Sequence, residues 1–302
     1  MIESNLKYAP IVVFAFNRLN SLKATIESLL ENEEASLSDL FVFVDGPRLY
    51  RIGEVSKVNE VKEFVKNISG FKNVTYSFSD TNKGLGPSII AGVTEIINRY
   101  GFAIVLEDDL TLSTNFLAYM NRGLMLYEKE SRVFSICGYS NCVNKPSSYK
   151  FDSYFCVRSS SWGWATWKDR WNCVDWDLND WETVKQNKSK FNKWGGSDCF
   201  GMLSDWKKGK NKSWAIRFCY SQFVTDKLAL FPFISKVNNN GFNDDGTNCR
   251  GYNRFKNYFD NKGAKDFKFP DMIFIIESIR KDVLGYHSLK IRLWSRLMNI
   301  FY

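Results

Sequence analysis

The sequence predicts an α/β fold, a mostly parallel sheet flanked by helices, and three observations predict it. Continuous apolar runs of strand length occur at 11–16, 41–44 and 102–106. Segments between them carry helical periodicity, and strands that alternate with helices pair in parallel and collect ligands at their C-terminal ends. Polar, charged or glycine-rich residues directly follow each run, where such ligands would sit.

The elements follow in order. After the strand at 11–16, Asn20 or Ser21 offers an N-cap to a helix with Leu22, Ile26, Leu29 and Leu30 on one face. The strand at 41–44 ends in Asp45-Gly46-Pro47, a turn signal. A polar helix over 56–66 leads to a strand in which Val74, Tyr76 and Phe78 alternate. Gly84-Leu85-Gly86-Pro87 opens a helix that turns Ile89, Ile90, Val93 and Ile97 inward, and 102–106 is the fourth strand. A further strand is expected over 231–237. Beyond a weak boundary near 145–150 the chain is rich in tryptophan. This divides it into a half at 1–150, a half at 151–278 that shares its core, and a tail at 279–302.

Composition removes several classes of function. With 302 residues, 44% of them hydrophobic and 25% charged, the chain can bury a large core and is not disordered. One histidine, His287, leaves triads, Cys/His dyads and histidine metal sites without members unless they depend on that residue. Catalysis, if present, uses carboxylates. Seven cysteines lack any Cys-x-x-Cys pair and read as reduced thiols in a cytosol. No signal peptide and no uninterrupted apolar run of ~18 residues is present, so an integral or secreted protein is not expected. The formal net charge is +8, and residues 280–302 hold Arg280, Lys281, Lys290, Arg292 and Arg296 against Asp282. A terminal excess of this kind argues against nucleic acid, which would want basic residues interleaved with exposed aromatics over one face.

Chemistry concentrates at Glu107-Asp108-Asp109, directly after the fourth strand. Three adjacent carboxylates repel one another unless a cation or hydrogen-bond donors compensate. Pleat alternation puts Glu107 and Asp109 on one side and Asp108 on the other, an arrangement able to bind a hard divalent ion. A solvated strand end with capping aspartates is the other reading. Ser160-Ser161-Trp162-Gly163-Trp164 offers either aromatic faces for a sugar, with a glycine admitting the ligand, or a strand packing its own core.

Taken together, the strand ending in Ala15-Phe16-Asn17-Arg18, then Val44-Asp45, Asn82-Lys83-Gly84-Leu85-Gly86 and Leu106-Glu107-Asp108-Asp109 resemble the GT-A nucleotide-sugar glycosyltransferases. The likeness is nearest to the bacterial family 2-like and N-acetylglucosaminyltransferase I types. It covers roughly residues 8–250. It implies a GT-A fold, here with a C-terminal amphipathic helical tail. It further implies that Ala15, Phe16 and Arg18 line a nucleotide pocket and that Asp45 accepts a hydrogen bond from uracil. Asn82 and Lys83 would lie near the ribose or diphosphate. Asp109 would be the direct Mn²⁺ or Mg²⁺ ligand, with Glu107 and Asp108 holding its water shell and donor hydroxyls. Trp162 and Gly163 would underlie the donor sugar. Asn248 stands where relatives often carry a second metal-binding histidine, so the metal would be held mainly by Asp109 and the diphosphate, or with help from Asp244 or Asp245. Each feature also has a plain reading: Arg18 as a surface charge, Asp45-Gly46 and Asn243-Asp244-Asp245-Gly246 as turns, Gly84 and Gly86 as helix punctuation.

An inverting transferase needs a base for the acceptor hydroxyl, and Asp205 or Asp198 is the candidate, Asp205 fitting better. In 289–302, Leu289, Leu293, Leu297 and Ile300 cluster on one helical side, flanked by Trp294, Met298 and Phe301, with Arg292, Ser295, Arg296 and Asn299 opposite. Either this tail binds an anionic membrane surface through 288–302 or it docks on the core.

The expected activity is therefore transfer of a sugar, UDP-GlcNAc or a similar UDP-sugar being the donor, to a glycan or lipid-linked acceptor. The setting would be synthesis of bacterial capsular polysaccharide or lipopolysaccharide, cytoplasmic and peripheral on the inner membrane. A non-catalytic carbohydrate-binding protein would explain the tryptophans but not the three carboxylates. A sugar nucleotidyltransferase would need a glycine-rich, basic loop after the first strand, which 15–18 lacks. A dinucleotide oxidoreductase is excluded by the missing G-x-G-x-x-G at that turn.

Overall fold

The computed structural model describes residues 8–241, 253–255 and 257–299. Its first half alternates as the periodicities require: β1 (Ile11–Ala15), α1 (Leu19–Leu30), β2 (Asp39–Val44), α2 (Glu54–Lys66), β3 (Asn73–Phe78), α3 (Leu85–Tyr100) and β4 (Phe102–Glu107). There follow β5 (Leu110–Leu112), α4 (Phe116–Leu126), β6 (Val133–Cys137), β7 (Ser153–Cys156), β8 (Trp164–Trp167) and five helices: α5 (Lys168–Asn172), α6 (Trp181–Gln186), α7 (Lys188–Gly195), α8 (Cys199–Lys207) and α9 (Ala215–Val224). β9 (Leu228–Pro232), β10 (Val237–Asn239), α10 (Glu277–Gly285) and α11 (Leu289–Met298) complete the described chain.

Eight strands form one sheet in the order β3-β2-β1-β4-β8-β6-β9-β7. β7 and β8 run against the other six, so the sheet is mostly parallel, as expected. It crosses the boundary at 145–150 without a break, and both halves share its core. Along β1 the pleat sends Ile11, Val13 and Ala15 to one face, against Leu22 and Ile26 of α1 and Val58 and Val61 of α2. Val12 and Phe14 go to the other, against Ile89, Val93 and Ile97 of α3. Burying each such side chain contributes about 1.5–3 kcal/mol. A second helical cluster, built on Leu178, Phe191, Leu203 and Ile216, holds α6 to α9 together.

Three expectations are corrected. Arg18 occupies the N-cap position of α1, and neither Asn20 nor Ser21 caps it. The strand expected over 231–237 is divided, because Pro232 has no N–H for the ladder and ends β9, while β10 pairs with β5 in a separate two-stranded sheet. Of the tryptophans at 162 and 164, Trp164 is a core residue, stacked on Trp171 and Trp214 at ring distances of 5.7 and 5.0 Å.

The parallel strands place the site. β2 lies on one side of β1 and β4 on the other, so the strand order reverses between β1 and β4. A crevice opens beyond the carboxyl ends of strands at such a reversal. The first residues past β1 and β4 therefore share one place, although they are about ninety positions apart. α1 steadies that place: the Thr25 hydroxyl donates to the Leu110 carbonyl at 2.8 Å, and the Leu112 amide donates to Ser28 at 3.2 Å.

Candidate active site

Arg18 from β1 and Glu107-Asp108-Asp109 from β4 meet at the reversal. The guanidinium of Arg18 pairs with the Asp108 carboxylate and, at 3.0 Å, with Oδ2 of Asp109. Arg18 is thus part of the cluster and not a surface charge. Burial draws its pKa down, but the charges of Asp108 and Asp109 more than offset this and hold it above its ordinary value. One arginine does not satisfy three carboxylates. Burial, and then repulsion from Asp109 and Asp108, pushes Glu107 up to about 8. Burial pushes Asp108 up to about 6 against the pull of Arg18. Oδ2 of Asp108 is buried with no hydrogen-bond partner among the described residues.

The neighbourhood of Asp109 is tight. Its carbonyl accepts from the Asn240 amide at 2.9 Å, and a Cβ at Gly241 would collide with its carboxylate. Asp244, Asp245 and Asn248 lie outside the described residues. Among the described residues, no three His, Cys, Asp or Glu side chains converge on a point that could hold an ion by themselves. A divalent cation nevertheless suits what is there: an orphaned buried carboxylate oxygen, a surplus of negative charge, and Asp109 offering a carboxylate beside them.

Asp45, after β2, is occupied. Its Oδ1 accepts from the amides of Gly46 and Lys83, both at 2.9 Å. Its Oδ2 accepts from the Gly84 amide at 2.8 Å and the Asn82 side chain at 3.0 Å. A carboxylate has about four acceptor sites, and all are engaged within the protein, leaving none for a uracil N–H. Asp45 and Asn82 therefore shape the loop that starts α3. Lys83 is exposed there, and Lys212 lies over Gly84. Ala15 is buried in the sheet, and Phe16 lies under the Arg48 guanidinium at 5.3 Å.

Trp162 and Gly163 precede β8, next to the end of β4. Trp162 packs edge-on to Tyr139 and Phe255, with ring distances of 4.6 and 5.6 Å. Gly163 has φ of 64°, and a Cβ there would meet Val237, Phe116 and Leu106. Core packing and a left-handed backbone account for a glycine at this position.

Trp162 also forms a wall of a cavity of about 310 Å³, lined further by Arg158, Asp198, Arg254, Phe255 and His287. Arg158 grips Asp198 with two parallel bonds, of 2.7 and 2.9 Å. Burial alone would raise Asp198, but the hydrogen bonds and charge of Arg158 bring it down to about 2. Asp205 lies on α8, exposed, outside that lining and without an ion-pair partner among the described residues.

Sequence reasoning missed Arg158, Arg254 and His287. The available signal was Gly195-Gly196, just before Asp198. A Cβ at Gly196 would strike His287 and Arg158, so only glycine lets those groups gather. Arg158 itself has a left-handed φ of 61°, an uncommon conformation for a side chain of its size.

No family model matches the chain. Solved structures with a partial likeness include a mannosyltransferase, PcManGT from Pyrobaculum calidifontis, in complex with GDP-Man and Mn²⁺. It is 11% identical, with 62% of this chain matching 56% of that one at a TM-score of 0.36. S. aureus TarS is 10% identical, with 49% of this chain matching 24% of that one at a TM-score of 0.33. This chain thus spans about half of the first and a quarter of the second, and neither match is close enough to transfer a residue's role.

Proposed function

We propose that this protein is a metal-dependent glycosyltransferase that takes a sugar from a nucleotide-sugar donor, UDP-sugars first among them, to a glycan or lipid-linked acceptor. The observation that carries the reading is Glu107-Asp108-Asp109 at the strand-order reversal, short of positive charge and with a carboxylate oxygen orphaned. Asp109 would hold the ion, which when bound supplies charge neutralisation to a diphosphate leaving group. Lys83, Lys212 and the amino end of α3 supply positive potential to the same anion. The reading is tested by melting the protein with UDP-, GDP- and dTDP-sugars, with and without Mn²⁺. One donor should raise the midpoint only when the metal is present, and a screen in which none does so refutes the assignment.

For the acceptor's proton, Asp205 is the favoured base, because the Arg158 pair leaves Asp198 too weak a proton acceptor. Asp205→Asn should leave donor affinity unchanged and lower turnover by ~10² or more. If turnover survives that change, the base lies elsewhere.

The tail supports attachment to an anionic membrane. No helix among the described residues is long and apolar enough to cross one. Instead α11 turns Ser295 and Arg292 to the protein, Arg292 donating to Ser197 at 3.3 Å. Leu289, Leu293, Trp294 and Leu297 are left 49% to 59% exposed. A helix docked on the core would do the opposite. Lys290 and Arg296, also exposed, border this apolar ridge, and each cation near an anionic leaflet is worth about 1 kcal/mol. Removing residues 288–302 should abolish co-sedimentation with phosphatidylserine vesicles, which in the intact chain weakens as salt rises, and should change the melting midpoint little. Undiminished sedimentation of the shortened chain would rule the attachment out.

A further inference from the structure

The cavity beside Trp162 is not explained by the acidic cluster, because its charge has the opposite sign. The charges that act on His287 there are three guanidiniums, Arg158, Arg254 and Arg292, against one carboxylate, Asp198. Arg158 and Asp198 neutralise each other, which leaves Arg254 and Arg292 without a carboxylate partner among the described residues. Such an excess is costly at a partly buried place unless an anion completes it.

Two further observations concern residues of the same lining. Nε of Arg254 and Nδ1 of His287 are buried without hydrogen-bond partners among the described residues. Unsatisfied groups of this kind cost free energy in the empty protein and recover it when a ligand supplies the partner. Burial, and next the Arg158 charge, hold His287 well below its ordinary pKa, so its ring is neutral near pH 7 and can donate from one nitrogen while accepting at the other. Arg254 rests on the Phe255 ring at 4.5 Å, which orients its guanidinium. Part of the remaining wall is aromatic, formed by Trp162, Tyr139 and Phe255, a surface suited to the C–H face of a sugar ring. A volume of about 310 Å³ accommodates a monosaccharide with one charged substituent.

We infer that this cavity binds an anionic saccharide, its phosphate or carboxylate seated against Arg254 and His287 and its ring against Trp162 and Phe255. That the cavity selects a charged sugar does not depend on the transferase reading. Discrimination comes from the stranded polar groups, because a neutral sugar would leave Arg254 uncompensated.

Calorimetry on the full chain with glucose 1-phosphate, glucuronate and glucose tests this directly. The charged sugars should bind at least tenfold more tightly than glucose. Arg254→Gln should remove that preference and leave the melting midpoint unchanged, since Arg254 has no ion pair among the described residues, while Arg254→Lys should retain most of it. Equal affinity for charged and neutral sugars, or a preference that persists in Arg254→Gln, overturns the inference. Nucleotide-sugar binding with Mn²⁺ is followed separately on the same preparations. Charged-sugar binding that behaves as described, beside no donor binding at all, would uphold the cavity and refute the transferase. Donor binding with no charged-sugar preference would do the reverse.

Discussion

Asp109→Asn should reduce sugar transfer by at least ~10² while moving the melting midpoint by no more than about 2 °C. The loss follows from charge: an amide is a far poorer ligand for a hard divalent ion, and such an ion contributes several kcal/mol to stabilising a departing diphosphate. The small thermal effect follows from the surroundings. Asp109 gives up one ion pair to Arg18, but Asp108 keeps its own. Removing the Asp109 charge also relieves the repulsion that, after burial, helps push Glu107 up to about 8. Turnover measured across a Mn²⁺ titration, beside a melting curve, separates the two effects. Wild-type turnover in the variant would remove the metal from Asp109.

Asp45→Ala should have the largest thermal effect of the site substitutions. It deprives the amides of Gly46, Lys83 and Gly84 and the Asn82 side chain of their common acceptor, within a loop that starts α3. The cost is roughly 2–4 kcal/mol, since stranded donors are expensive and some will find water. For a chain of this size that lowers the melting midpoint by about 3–6 °C. Nucleotide affinity should fall as well, by about tenfold, because the loop beside Lys83 loses its shape. Asp45→Asn, which keeps one acceptor oxygen, should lose less of both. A variant that melts normally yet binds UDP weakly would restore the direct uracil contact.

Legibility differed among these groups for a physical reason. The carboxylates of 107–109 were conspicuous because charge at the end of an apolar strand is costly, and the cost is visible in a linear string. Arg18 was recognisable as a site residue, but its partners were not, since Asp108 and Asp109 come next to it only through parallel pairing of β1 with β4. Asp45 was singled out without its protein partners: an aspartate before a glycine reads as a turn or a ligand contact, and the Lys83 and Gly84 amides that donate to it lie 38 and 39 positions away. Trp162 and Trp164, adjacent in pattern, separate into cavity wall and core. Periodicity of two places them on one face of a strand, but only the position at which β8 begins decides which of them leaves the sheet.

By itself, the sequence determined the local conformations and the class of fold. Strand and helix periods, glycine at the start of α3 and the burial demanded by apolar runs are short-range properties, and they are sufficient for alternating elements and a mostly parallel sheet. Composition likewise left histidine triads and histidine metal sites dependent on His287 alone. Tertiary structure decided what depends on contacts between distant segments. It set Arg18 against the acidic cluster and engaged every acceptor of Asp45. It tied Asp198 to Arg158, turned the apolar side of α11 outward, and gathered Arg158, Arg254 and His287 around one cavity. Each of these is an electrostatic or packing balance among residues tens to hundreds of positions apart. Such a balance is fixed by strand order and helix docking, which no local pattern encodes.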